Sequence, residues 1–241
     1  QTGHNASDFP VALADIDHIE VLEGAASRVF GTSAFNGAIN IVTKKAKNDG
    51  VSASVEGGSF GSFGAQGRVQ TAFETGKWTQ AYSVSGGYKR SDGGTENSDF
   101  EKGQGYGNLS FSYDQRFDIN AQVGISTQSY GANTFYSAKY NNQYEKTDHG
   151  MASLNLSLHN QEKTWEIAPQ FYYNKFKDHY QLIRGKAGAA AGENYHDLDV
   201  YGGGLNANVA WALGKTAVGF DISKECIYST ALGEELAEKD Y

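Results

Sequence analysis

The sequence predicts an all-β chain, folded as a transmembrane antiparallel β-barrel, on three observations. The 241 residues include 30 Gly, 15 Tyr and 13 Phe against 2 Pro and 1 Met, a usage that favours strands and turns over helices. From Val51 onward apolar and polar residues alternate with period two, the repeat of a strand with one wet and one apolar face. Short and long connections also alternate along the chain, as they do in membrane barrels with tight turns on one side and longer loops on the other.

The elements follow in order. Val69 and Phe73 oppose Gln66, Arg68, Gln70 and Glu74; Leu109, Phe111 and Tyr113 oppose Asn108, Ser110 and Ser112. In "FDINAQVGISTQ" Ile119, Ala121, Val123 and Ile125 share one face. Leu154, Leu156 and Leu158 do so next, then Trp165, Ile167, Phe171 and Tyr173, and then Leu205, Val209, Trp211 and Leu213. Between them "ETGK", "DQR", "NQEK" and "LGK" read as tight turns, whereas "RSDGGTENSDFEKGQ", "SYGANTFYSAKYNNQYEK" and the stretch 177–199 read as long loops. The spacing gives about nine strands. Pro169 lacks a ladder donor and calls for a bulge or an edge.

A soluble sandwich with a wet outer face is the alternative, and two features weigh against it. Arg68, Glu74 and Glu166 keep to a polar face otherwise rich in Asn, Gln, Ser and Gly, not the Lys and Glu of a soluble surface. Trp and Tyr sit near strand ends, as in interfacial girdles.

Composition removes other classes. A net charge of -8 argues against a general nucleic-acid binder, which needs a basic patch. The lone Cys226 forms no disulfide framework, has no partner at zinc-ligand spacing, and reads as a small side chain near a strand end. No run approaches the roughly 18 apolar residues of a membrane helix, and the mean hydropathy is -0.53. No charged start followed by an apolar run opens the chain, so a signal peptide has been removed or the chain starts late. His18, His149, His159, His179 and His196 lie among Ser and Asp without a G-x-S-x-G elbow, so no enzyme is expected.

The opening stretch carries a resemblance. "IDHIEVLEGAASRVFGTSAFNGAINIVTKK", Ile16 to Lys45, resembles the C-terminal end of the plug domain of TonB-dependent outer-membrane receptors, whose usual form is I-E-V-L-R-G-P-x-S-x-L-Y-G followed by A-x-G-G-x-I-N-I-x-T-K. The resemblance implies a plug signature at Glu23, Gly24, Arg28, Gly31, Gly37 and Asn40, with the glycines at tight turns and close approaches. It implies a plug remnant over residues 1–48 and the first part of a barrel of about 22 strands over 49–241, hence a fragment without the TonB box and later strands. Glu23 stands where the family usually has Arg, and Ala25 where it has Pro. Reversing that charge puts the usual lock to wall carboxylates in doubt, and Arg28 is a candidate replacement.

Within that family the loops are most similar to those of cobalamin receptors: "SYGANTFYSAKYNNQYEKTD" to one external loop and "SKECIYSTALG" to the start of a later one. Tyr130, Asn133, Phe135, Tyr136, Tyr140 and Tyr144 are the candidate ligand contacts, since aromatic faces stack on a large planar ligand while amides bond its rim. The bland reading is that these rings belong to the aromatic girdle or stabilise their own loop. Asp92, Glu96, Asp99 and Glu101 lie in one acidic loop and are weak calcium candidates, their spacing not being that of an EF-hand. The expected function is energy-coupled import of a scarce nutrient across the outer membrane, most closely a corrinoid, with TonB and a surface lipoprotein as partners. The alternatives are a siderophore or haem receptor of the same architecture, and a passive porin or adhesin.

Overall fold

The computed structural model describes residues 9–23, 37–231 and 237–240. A 3-10 turn at Leu13–Asp15 leads into a two-stranded antiparallel sheet, β1 (Ile16–Glu23) with β2 (Gly37–Thr43). A second sheet takes every later strand in chain order: β3 (Gly50–Gly57), β4 (Phe63–Thr75), β5 (Trp78–Ser91), β6 (Phe100–Tyr113), β7 (Phe117–Asn133), β8 (Gln143–His159), β9 (Trp165–Gln181), β10 (Glu193–Trp211), β11 (Gly214–Ser229) and β12 (Ala237–Asp240). The expected count of about nine corresponds to β3 to β11, and β12 adds four residues. Each strand pairs antiparallel with its neighbour in sequence, as a meander with tight turns requires. Asp114 and Gln115 make the β6–β7 turn by adopting φ of 51° and 54°, the left-handed region that Asp and Asn-like residues tolerate best after Gly.

The burial pattern is that of a soluble protein turned inside out. Among the described residues the buried hydrophobics are only Ala12, Ala46, Ala81, Tyr106 and Ala132, while Val51, Val69, Val84, Ile125, Phe171, Val218 and Phe220 are exposed. Buried groups are instead polar: Asp15, Arg68, Ser83, Asn108, Ser126, Gln143, Glu145 and Thr147. Register keeps the two sets apart. Val51 pairs with Val69 and Val69 with Val84, while Ser52 pairs with Arg68 and Arg68 with Ser85. Period two therefore survives across strands, and one whole face of the sheet is apolar. Among the described residues no second layer packs on that face, which is exposed in the manner of the lipid-facing side of a β-barrel wall.

Aromatic residues edge that face. At the tight-turn end Trp78 and Tyr113 pack with ring centroids 4.7 Å apart, and Trp165 and Trp211 are also outward and exposed. At the other end Tyr173 and Tyr201 sit opposite each other.

Two sequence expectations change. The strands run further than the alternation suggested: the long connections shrink to residues 92–99, 134–142 and 182–192. A strand of 17 residues is about 56 Å long at ~3.3 Å per residue, well beyond the ~30 Å hydrocarbon layer. Past Tyr173 and Tyr201 the outward residues become Lys175, Lys177, Asp197 and Asp199, so both faces are polar and hydrophobic alternation disappears although the ladder continues. Pro169 needs neither edge nor bulge. It lies in central strand β9 opposite Leu205, and the β8–β9 ladder skips two rungs, between Asn155↔Gln170 and Leu158↔Ile167, without a shift of register.

Candidate functional site

The small sheet meets the polar face of the large one through a buried charge. Asp15, 0% exposed, accepts hydrogen bonds from the Arg68 guanidinium and the Ser85 hydroxyl. Arg68 also donates to the Lys44 carbonyl at 3.3 Å and to Gln70 Oε1 at 3.2 Å. The Asp15 carbonyl accepts from the Lys44 amide at 2.8 Å. One guanidinium thus fastens both ends of the small sheet, Asp15 before β1 and Lys44 after β2, to strand β4. The Tyr106 hydroxyl of β6 lies 3.0 Å from Thr43 Oγ1 and 2.8 Å from Gln122 Oε1. Gly124 of β7 is approached so closely by Pro10 that a Cβ there would stand 2.6 Å from the Pro10 carbonyl.

The signature positions divide. Gly24, Arg28 and Gly31 lie outside the described residues, so the proposed replacement lock through Arg28 does as well. Gly37 has φ of +149°, and a Cβ there would come within 2.5 Å of the Leu22 carbonyl, a close approach that only glycine allows. Asn40 donates to Glu20 across the sheet at 2.7 Å. Glu23 ends β1, exposed, opposite Gly37. Sequence reasoning missed Asp15; Arg68 was legible only as a charge on a polar face.

At the opposite end three loops are tied into one rim. Gln143, fully buried, donates to the carbonyls of Asn133, Ser137 and Tyr140 at 2.7–3.1 Å and accepts from the Tyr180 hydroxyl at 2.8 Å. Asn97 donates to the carbonyl of Gln143 at 2.6 Å, and Arg184 reaches both Asn97 Oδ1 and the two Asp99 oxygens, the last at 2.6 and 2.9 Å. The guanidinium beside Asp99 holds its carboxyl below the ordinary carboxylate value.

The candidate ligand residues sit on this rim with different roles. Tyr130 and Tyr136 both donate to the buried carboxylate of Glu145, with their oxygens 3.0 Å apart. Tyr136 also packs edge-on against Tyr180, ring centroids 5.3 Å apart, and against Phe135 at 4.8 Å. These hydroxyls are therefore hydrogen-bonded within the rim. Phe135 is 72% exposed, and Asn133 Nδ2 donates to the Glu96 carbonyl at 2.8 Å. Lys139 covers Tyr140, 5.5 Å from the ring centroid. Tyr144 departs from the expected cluster: it shares the outward side of β8 with Lys146 and Asp148, and the Arg184 guanidinium lies 4.9 Å from its ring centroid.

The acidic loop does not converge either. Asp92 pairs with Arg90, Asp99 with Arg184, and Glu101 accepts from Tyr88 at 3.0 Å. Among the described residues no group of three or more His, Cys, Asp or Glu side chains is placed to hold a metal ion.

No protein-family model and no curated protein sequence matches the chain. Solved structures do. The siderophore receptor PiuA from Acinetobacter baumannii superposes with a TM-score of 0.69 at 15% identity, over 89% of this chain and 36% of its own. The copper transporter OprC gives 0.70 at 17%, over 92% and 36%, and the ferric citrate transporter FecA gives 0.68 at 16%, over 96% and 39%. The fold is that of the TonB-dependent receptors. At these identities the likeness is one of fold, and the chain spans well under half the length of each of these structures. Within the described sheet the Asp15–Arg68 contact lies on the polar face of the wall and the Gln143 rim at the end with the long connections.

Proposed function

We propose that the chain is part of an outer-membrane receptor that imports a scarce nutrient with energy from TonB, without covalent chemistry. The observation that supports this reading is the small sheet held to the polar face of the wall through the buried Asp15–Arg68 pair. A passive porin has no use for a polar latch across its channel, and an adhesin none for a lumen insert. In this reading β1 and β2 are the end of a plug, the rim at Gln143 faces outside, and ligand binding there is relayed to the plug through the wall. Force through a TonB box elsewhere in the protein then breaks the Asp15–Arg68 contact and opens a path.

For the ligand, the aromatic and amide-rich loop around Phe135, with Asn141 and Asn142 beside it, favours a large, partly planar molecule such as a corrinoid, to which the similarity of its sequence to cobalamin-receptor loops adds. Receptors and transporters for siderophores, copper and ferric citrate share the fold, and they favour an iron chelate as the second reading. Growth of a deletion strain on limiting cobalamin and, separately, on limiting iron distinguishes the two. A defect on cobalamin alone supports the corrinoid; a defect on iron alone replaces it, and no defect on either removes both.

A further inference from the structure

Between the lead-in to the small sheet and the first strands of the wall lies a cavity of about 180 Å³, lined in part by Ala14, Ser52, Ser54, Gln66, Arg68 and Ser85. It is many times larger than one water needs and smaller than the ~300–1,000 Å³ of sites for drug-sized ligands. Only a small solute fits. Its polar side chains share one face of the wall, because Ser52 pairs with Arg68, Arg68 with Ser85 and Ser54 with Gln66. Directly paired side chains on one face stand about 4.5–5.5 Å apart at Cβ, so the Ser52 hydroxyl and the Arg68 guanidinium can hold one ion between them.

The charges at this cavity favour an anion. Lys44 Nζ donates to the carbonyl of Ala14, on the cavity border, at 2.9 Å. Asp17 interacts with both Lys44 and Lys47, so the carboxylates of Asp15 and Asp17 face three cations and one positive charge is left over. On the rung beyond Ser54 and Gln66, Lys89 and Glu56 pair with each other at 2.6 Å. The buried Asp15–Arg68 pair can be released in two ways. Pulling Asp15 away leaves the guanidinium buried without its carboxylate, which is the costly way to break such a pair. Exchanging Asp15 for another anion keeps it paired throughout.

We propose that this cavity is a site for a small free oxyanion of the size of phosphate, which takes the place of Asp15 on Arg68 and so releases the small sheet from the wall. The ion accepts charge-assisted hydrogen bonds from Arg68 and further ones from Ser52, Ser54 and Gln66, with the Lys44 ammonium at its border. No covalent bond forms or breaks. The cavity is too small for the cargo of an importer, so the ion comes from solution. The site rests on these residues alone, whereas its part in opening a path rests on the import reading. Force and anion then act on the same contact, and less force is needed where the ion is present.

The test is hydrogen exchange at the Lys44 amide, which bonds to the Asp15 carbonyl, in the receptor as isolated from the outer membrane and held in mild detergent. Sodium phosphate and sodium chloride are compared at equal pH and ionic strength. Exchange is expected to rise in proportion to phosphate, about fivefold when the ion reaches four times its dissociation constant from the released state, and to stay flat in chloride. Ser54→Leu, which fills the cavity, is expected to lose this response. Ser52→Asp places a tethered carboxylate opposite Arg68 and is expected to exchange fast in chloride, with no further gain from phosphate. Equal exchange of wild type in the two salts overturns the proposal, as does a full phosphate response in Ser54→Leu or wild-type exchange in Ser52→Asp. Exchange is read without transport. A receptor that responds to phosphate but imports nothing sinks the import reading alone, and one that imports without responding sinks only the anion site.

Discussion

At the scale of single residues the decisive contact is Asp15 with Arg68. A buried ion pair is weak evidence of stability but is costly to break on one side, about 3–5 kcal/mol, because the remaining charge is left without a partner. Arg68→Ala is therefore expected to free residues 9–15 from the wall, and hydrogen exchange at the Lys44 amide, which bonds to the Asp15 carbonyl, should accelerate by at least about tenfold. Unchanged exchange there would show that the small sheet is held by other contacts. Gly37 gives a second residue-scale expectation. Gly37→Ala places a methyl against the Leu22 carbonyl, so it should destabilise the β1–β2 pair by more than the ~1 kcal/mol of an ordinary helix or strand glycine exchange. The loss should appear as faster exchange across the Leu22↔Ala38 rung, and protection equal to wild type would refute it. Gly37 was legible only through the resemblance of residues 16–45, since the carbonyl that demands glycine there, Leu22, lies on the paired strand. Arg68 was legible only by face, since its partner lies 53 positions away.

At the scale of elements the rim is held by a glutamine and an arginine, neither of which stands out in sequence. Gln143→Ala removes the donor serving three loop carbonyls and the acceptor of Tyr180. Each unsatisfied buried group costs about 1–3 kcal/mol. Residues 134–142 should therefore become accessible to limited proteolysis, and persistent resistance would argue that the aromatic contacts suffice. The Asp99–Arg184 tie has a pH dependence of known sign. The Asp99 carboxyl is depressed by its bond to Arg184, so its contribution is complete above the ordinary carboxylate value and is lost as pH falls through the depressed one. Both side chains are 39% exposed, so the effect is at the level of a surface pair, at most about 1 kcal/mol. Loop exchange should thus stay constant from neutral pH down to the ordinary carboxylate range and rise only below it; a rise near neutrality would point to a histidine instead. The aromatics chosen as ligand contacts were legible by composition, but their allocation was not. Period two places Tyr130 inward and Tyr144 outward only when the strand is known to run through the apparent loop.

At the scale of the whole molecule the large sheet is an open wall. Among the described residues strand β3 pairs with β4 alone, so within them its other side presents amides and carbonyls without a ladder partner, each costing several kcal/mol if left so in lipid. The 241-residue chain by itself is expected to associate or stay unfolded in detergent, read by size-exclusion chromatography and by gel mobility before and after heating. A stable, heat-shifting monomer from the chain alone would show that the sheet closes on itself.

The sequence by itself determined the barrel wall, its tight turns, its lipid face and the resemblance of residues 16–45 to a plug end. All of these follow from period-two alternation and local backbone chemistry, which neighbouring residues specify. Only the tertiary structure decided which charge fastens the insert, how far the strands rise above the membrane, and which aromatics face the mouth. Those depend on pairings between distant strands, and above the lipid both faces are wet, so the hydrophobic contrast that makes a strand readable is gone.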